Sequence, residues 1–116
     1  LTVFGDGKQV RDVLYVRDLI RAYDAFLSDP SGKPAVFNVG GGAENTTSLR
    51  EFLDLLESKT GTRPEVRFDD WREGDQKVYV SNLERAMRAL DWEPRVSFVE
   101  GIDRYLDWYR TDQMPA

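Results

Sequence analysis

Neither cysteine nor histidine occurs in this chain. Without cysteine there is no disulfide and no thiolate metal site. Without histidine the commonest metal ligand and the commonest general base are missing. No stretch comes near the roughly 20 consecutive apolar residues that cross a bilayer. No basic segment followed by an apolar one opens the chain, so no secretion signal is visible and a cytoplasmic location is expected. Basic residues are also outnumbered: 16 Lys and Arg stand against 21 Asp and Glu, for a net charge of −5. The pI is about 4.7. That balance argues against broad binding to nucleic acid or acidic membranes, which needs a surplus of cations on one face. It leaves room for a local pocket that holds a small anion, because a few placed arginines decide that.

What is present reads as globular. The 116 residues are 41% hydrophobic and 12% aromatic, enough for one domain or a large part of one. No internal repeat, low-complexity segment or linker interrupts them. Leu1 is the first residue and the pattern opens mid-strand, so a piece of a longer protein is expected. Leu1–Phe4 reads as a short strand stopped by the turn Gly5-Asp6-Gly7. Gln9–Val16 alternates as a second strand. One face carries Val10, Asp12, Leu14 and Val16, and the other Gln9, Arg11, Val13 and Tyr15.

A helix is predicted over Asp18–Ser28, with Asp18 as its cap and Leu19, Ile20, Tyr23, Phe26 and Leu27 as one apolar stripe. A surface loop, residues 29–34, leads to a strand over Ala35–Val39 that has few polar positions, as in strands covered on both faces. Gly40-Gly41-Gly42 ends it. Three capping boxes mark helix starts: Ser48 with Glu51, Ser81 with Glu84, and Ser97 with Glu100. The buried faces are expected to be Leu49, Phe52, Leu53 and Leu56; then Leu83, Ala86, Met87 and Leu90; then Val99, Ile102, Leu106 and Tyr109. Gly61 stands where the first of these helices needs a C-terminal cap. Short strands are expected at 65–68 and 78–80, and residues 112–116 as a frayed tail. The fold class is α/β, with mixed short strands and about four helices.

Two arginine-centred clusters carry the candidate chemistry: Gly5-Asp6-Gly7-Lys8-Gln9-Val10-Arg11-Asp12 and Trp71-Arg72-Glu73-Gly74-Asp75-Gln76. Guanidinium groups grip a diphosphate through paired planar donors. A carboxylate or amide such as Asp75, Gln9 or Gln76 suits a sugar or ribose diol. A Gly-Asp-Gly segment is ordinarily only a turn, and an Arg on a strand ordinarily faces solvent. Asp12 on an apolar face needs a partner, either a backbone N–H or a buried Arg, and is expected to be structural. Gly40-Gly41-Gly42 is neither Gly-x-Gly-x-x-Gly nor a Gly-Lys-Ser/Thr loop, so it reads as a strand exit. Trp71, Trp92 and Trp108 read as packing residues. Phe4 faces either a nucleobase or the core.

Taken together, these residues resemble the extended short-chain dehydrogenase/reductase enzymes that act on nucleotide-sugars. The run Thr2–Leu19 looks like the signature that follows their Rossmann portion. Phe37-Asn38-Val39-Gly40-Gly41-Gly42, Ser48-Leu49, Trp71–Gln76 and Leu90-Asp91-Trp92-Glu93-Pro94 follow in the family's order. The Trp-Arg-x-Gly-Asp-Gln form is most similar to the CDP-paratose/CDP-tyvelose 2-epimerase group, with 4-epimerases and 4,6-dehydratases close behind.

The resemblance implies the C-terminal, substrate-side portion of an NAD-dependent epimerase or dehydratase, over residues 1–111. Arg11 and Arg72 would hold the diphosphate of a nucleoside-diphosphate sugar, and Asp75 would meet the ribose hydroxyls. Gln9 and Phe4 would border the nucleoside, with Asn45 in reach of the same pocket. The sequence departs from the family pattern at Glu73, where Pro is common, at Asn82, where Asp is common, and at Asp91, where Gly is common. Glu73 sets a negative charge beside Arg72. The family's NAD-binding glycines and Tyr-x-x-x-Lys pair lie upstream of this region, and no Tyr-x-x-x-Lys occurs here. No catalytic residue, cofactor site or metal site is therefore expected in these residues, and the chain alone is expected to be inactive. The implied partner is the Rossmann portion that holds NAD. The apolar strand Ala35–Val39 is expected to promote homo-oligomers.

Overall fold

The computed structural model describes residues 1–31 and 35–113. It is a mixed α/β fold of five short strands and four α-helices among those residues. β1 (Thr2–Phe4) and β4 (Arg67–Asp69) pair in parallel, with Val3 opposite Phe68. β2 (Val10–Asp12) is the middle of a second sheet, antiparallel to β3 (Thr46–Ser48) and parallel to β5 (Val78–Tyr79). The helices are α1 (Val16–Leu27), α2 (Leu49–Thr60), α3 (Glu84–Leu90) and α4 (Phe98–Trp108). A π-helical turn carries the chain on from α4 through Gln113. The tail beyond it, residues 114–116, and positions 32–34 of the surface loop lie outside the described residues.

The second strand is shorter than its alternation predicts, because pairing ends at Asp12: Val10 and Arg11 have partners on both sides and Asp12 only in β3. Its facing is as predicted. Leu14 joins the core of Ala22, Leu83, Ala86 and Trp92, and the Asp12 carboxylate accepts a bond from the backbone N–H of Gly42 at 3.0 Å. Asp12 therefore has the backbone partner that a carboxylate on an apolar face requires.

Several local expectations are corrected. Asp18 does not cap α1; the helix begins two residues earlier at Val16, after Tyr15. Asp18 is instead fully buried. The inner face of α1 is Asp18, Ala22 and Ala25, small side chains that let α3 approach. The stripe of large apolar residues lies outward, with Ile20, Tyr23 and Leu27 exposed. Residues 35–39 form no strand: no backbone hydrogen bond joins them to another described residue. Phe37 and Val39 pack on the core, while Val36 is 78% exposed. Among the described residues no strand pairs with them, and Phe37 and Val39 are the side that packs on the core.

Of the three capping boxes, Ser48 and Glu51 form the full reciprocal pair. Ser97 accepts from the N–H of Glu100, but the Glu100 carboxylate turns to Arg104. Ser81 caps nothing: α3 starts at Glu84, whose N–H is bonded by Asn82 at 3.0 Å, and the Ser81 hydroxyl lies against Gly40. Gly61 takes the left-handed conformation that ends α2. Asp91 ends α3 in the same region, at φ +49, which accounts for the glycine common at this position. Met87, Val99 and Tyr109 are exposed rather than buried. Trp92 is in the core, Trp108 stays about half exposed beside Tyr105, and Trp71 packs on Gly5.

Candidate functional site

The first arginine cluster is shaped by its glycine turn. Gly5 adopts φ +86, open to glycine at no steric cost. A Cβ there would come within 2.6 Å of the Trp71 indole, so the second cluster can lie flat on the first only at a glycine. Next to this contact, the Arg72 guanidinium lies over the Phe4 ring, 3.7 Å from its centroid. Lys77 stands over Trp71 at 5.8 Å. Asp75 closes the tight turn that carries Arg72, its N–H donating to the Arg72 carbonyl at 3.2 Å, with Gly74 left-handed.

Gln9 links this corner to β2. Its Nε2 donates to the Phe4 carbonyl at 3.1 Å. Its Oε1 is buried and has no partner among the described residues. Gln9, Arg11 and Val13 all face one side, as the alternation predicts, and line a cleft of about 290 Å³. The opposite wall comes from the start of α2 and from α4, where Phe52 and Phe98 meet at 5.8 Å. Arg11 sits on the rim, its Nη1 donating to the Val10 carbonyl at 2.7 Å.

Ion pairing divides the arginines into two groups. Arg21, Arg63, Arg88 and Arg104 are each neutralised by a carboxylate. Arg11 and Arg72, like Arg17, Arg50, Arg85 and Arg95, have no carboxylate partner among the described residues. Both keep a full positive charge in a chain whose balance is negative, the condition for holding an anion. Glu73, next to Arg72 in sequence, forms no ion pair with it.

The predicted set is brought together in part. Phe4, Gln9 and Arg72 touch in sequence, Asp75 shares the turn with Arg72, and Arg11 lines the cleft beside Gln9, a cleft that Arg72 does not line. Asn45 is turned inward. It is buried, its Nδ2 donates to the Gly41 carbonyl at 3.0 Å, and its Oδ1 accepts from the Phe98 N–H at 2.7 Å. Both ends of the amide are engaged in tying the glycine crossing to the first turn of α4. Sequence reasoning missed Phe52, Phe98 and Ile102 as walls of the cleft. The caps at Ser48 and Ser97 show where those helices begin, but not that both beginnings meet across it.

Fold and sequence together place the chain among the nucleotide-sugar epimerases and dehydratases. The chain belongs to the GDP-mannose 4,6 dehydratase family, whose match covers residues 1–105, within the extended short-chain dehydrogenase/reductase enzymes that act on nucleotide-sugars. It is 39% identical over 110 residues to the CDP-paratose 2-epimerase of Salmonella typhi, covering 92% of this chain and 32% of that protein. To the UDP-glucuronate 4-epimerase of Thermodesulfobacterium geofontis it is 33% identical, covering 93% and 32%. Among solved structures, the UDP-glucuronic acid 4-epimerase of Bacillus cereus, in complex with UDP-glucuronic acid and NAD, superposes with a TM-score of 0.82 at 31% identity. That match covers 95% of this chain and 35% of the other. The chain spans about a third of the length of these relatives.

The residues present do not fit NAD. The one glycine run, Gly40-Gly41-Gly42, is buried, and its Gly42 N–H is taken by the Asp12 carboxylate. A negative group stands where a pyrophosphate needs donors. The turn that follows is only three residues long.

Proposed function

We propose that this chain supplies the nucleoside-diphosphate half of the substrate site of an NAD-dependent sugar epimerase or dehydratase, and that it performs no redox chemistry by itself. The observation that carries the reading is the pair of unneutralised guanidinium groups, Arg11 and Arg72, joined through Gln9 and Phe4. Arg11 and Arg72 hold the diphosphate. Asp75 accepts from the ribose hydroxyls, and the unpartnered Gln9 Oε1 is an acceptor for a donor on the nucleoside. Phe4 offers its face to the base. Asn45 supports the wall. Hydride transfer and acid/base chemistry belong to the upstream portion of the family's enzymes, where NAD is held.

Calorimetry with CDP-, UDP- and dTDP-sugars tests this. Arg11→Ala and Arg72→Ala should each weaken binding about 10- to 100-fold, the usual size of a lost charge-assisted contact. Unchanged affinity in both variants would overturn the assignment, as would no heat from any of the three sugars at millimolar concentration.

A second reading is favoured by the outward apolar face of α1 and by Val36, 78% exposed. Together with the unpaired backbone of residues 35–39, this surface is suited to a second copy of the chain. Light scattering should show a rising mass with concentration, and a constant monomer mass at high concentration would exclude it.

A further inference from the structure

The contact between Arg72 and Phe4 has an unusual composition. The guanidinium carbon lies over the ring, 3.7 Å from its centroid, and the side chain makes no hydrogen bond or ion pair to any described residue. The side chains of Glu73, Asp75 and Gln76 are likewise without partners. Trp71, in contact with Gly5 and under Lys77, anchors the start of the segment. The turn between, closed by the bond from Asp75 N–H to the Arg72 carbonyl and bent at left-handed Gly74, is exposed. Arg72 can therefore leave the ring by side-chain rotation without breaking any polar contact.

A guanidinium and a nucleobase are both flat, delocalised groups that stack on an aromatic face. We infer that Arg72 occupies the face of Phe4 that the ligand's base takes, so that a nucleotide enters by exchange: the base replaces the guanidinium on the ring as the guanidinium moves to the diphosphate. This rests on the reading of the site given above and adds the order of contacts and a selection rule. A stacked cation and a stacked base are held by attractions of similar size, so the exchange at the ring is nearly neutral. The diphosphate decides it. A nucleoside without phosphate must displace Arg72 and offers its charge nothing in return. A ligand with base and diphosphate satisfies both partners, and the site selects for that combination.

The test uses the full chain and two probes, uridine and UDP. In the free protein the Arg72 side-chain protons should appear upfield in the NMR spectrum, shifted by the Phe4 ring current. Saturation with UDP should abolish that shift. By calorimetry uridine should bind at least about 100-fold more weakly than UDP. In Arg72→Ala the two affinities should converge about tenfold or more, with uridine itself binding more tightly than it does to the unaltered chain. If UDP binds while the Arg72 protons stay upfield, or if uridine gains nothing from Arg72→Ala, the exchange is wrong and the site assignment stands. If UDP does not bind at millimolar concentration, both fall.

Discussion

Asp18→Ala is expected to cost the chain about 3 kcal/mol of stability, read from urea unfolding. Asp18 is 1% exposed, and its Oδ2 accepts from the backbone N–H groups of Arg95 and Val96, both at 2.9 Å. Its other oxygen pairs with Arg21, whose guanidinium also reaches the Glu93 carbonyl. The Asp18 carbonyl accepts from the Trp92 indole at 2.9 Å. One residue of α1 thus fastens the segment after α3 across more than seventy positions. Removing the carboxylate leaves two N–H groups without partners, one of them in the core, at about 1–3 kcal/mol each. Arg21 is partly exposed and regains water.

Burial alone would raise the Asp18 pKa. The bond from Arg21, the N–H groups of Val96 and Arg95, and the charge of Arg21 outweigh it, and the carboxyl titrates below its ordinary value. The folded state therefore binds this proton less readily than the unfolded chain. The stabilisation is complete above the ordinary carboxylate range near about pH 4 and is lost as pH falls through the lower folded value. Asp18→Asn, which keeps an acceptor, should lose less stability than alanine and should remove this part of the acid-induced loss. An alanine variant as stable as the parent chain, or an unchanged acid profile in the Asn variant, would show that the tie does not exist in solution.

Gly41→Ala is expected to destabilise by about 3 kcal/mol, the upper part of the overpacking range, with the melting temperature lower by roughly 10–15 °C. A Cβ at this position runs into the backbone carbonyl of Val13 and within 2.8 Å of the Asn45 Cβ. The obstacle is backbone, held by the bond from the Val13 N–H to the Asn45 carbonyl at 2.9 Å, so it cannot swing aside as a side-chain tip would. Gly61→Ala is the control for the loss of a glycine: its Cβ meets nothing within 4 Å, and its cost is confined to the left-handed backbone at φ +70. Differential scanning calorimetry of both variants decides the matter. A Gly41→Ala protein that melts no lower than Gly61→Ala would mean that the glycine crossing is not packed as described. Because the same crossing bonds Asn45 and Asp12, its loss should also loosen the wall of the cleft.

Sequence pattern alone determined the class of fold, the number of helices, the reciprocal cap at Ser48 and the facing of Gln9, Arg11 and Asp12 on β2. Those features are set within a few residues, by the period of two in a strand and by side chains bonding to their own backbone, and they are legible without a third dimension. The ordered arginine motifs likewise placed the chain in its family. Tertiary structure alone decided the rest. The apolar stripe of α1 turns outward because Ala22 and Ala25 pack more closely against this chain's core than large residues do. Residues 35–39 stay unpaired because no strand among the described residues reaches them, and Asn45 turns inward to a bond made 53 positions away. Arg72 lies on Phe4 because Gly5 lets Trp71 down onto the first turn. Each of these depends on which surfaces meet, a choice made by packing between distant segments and not written in any local period.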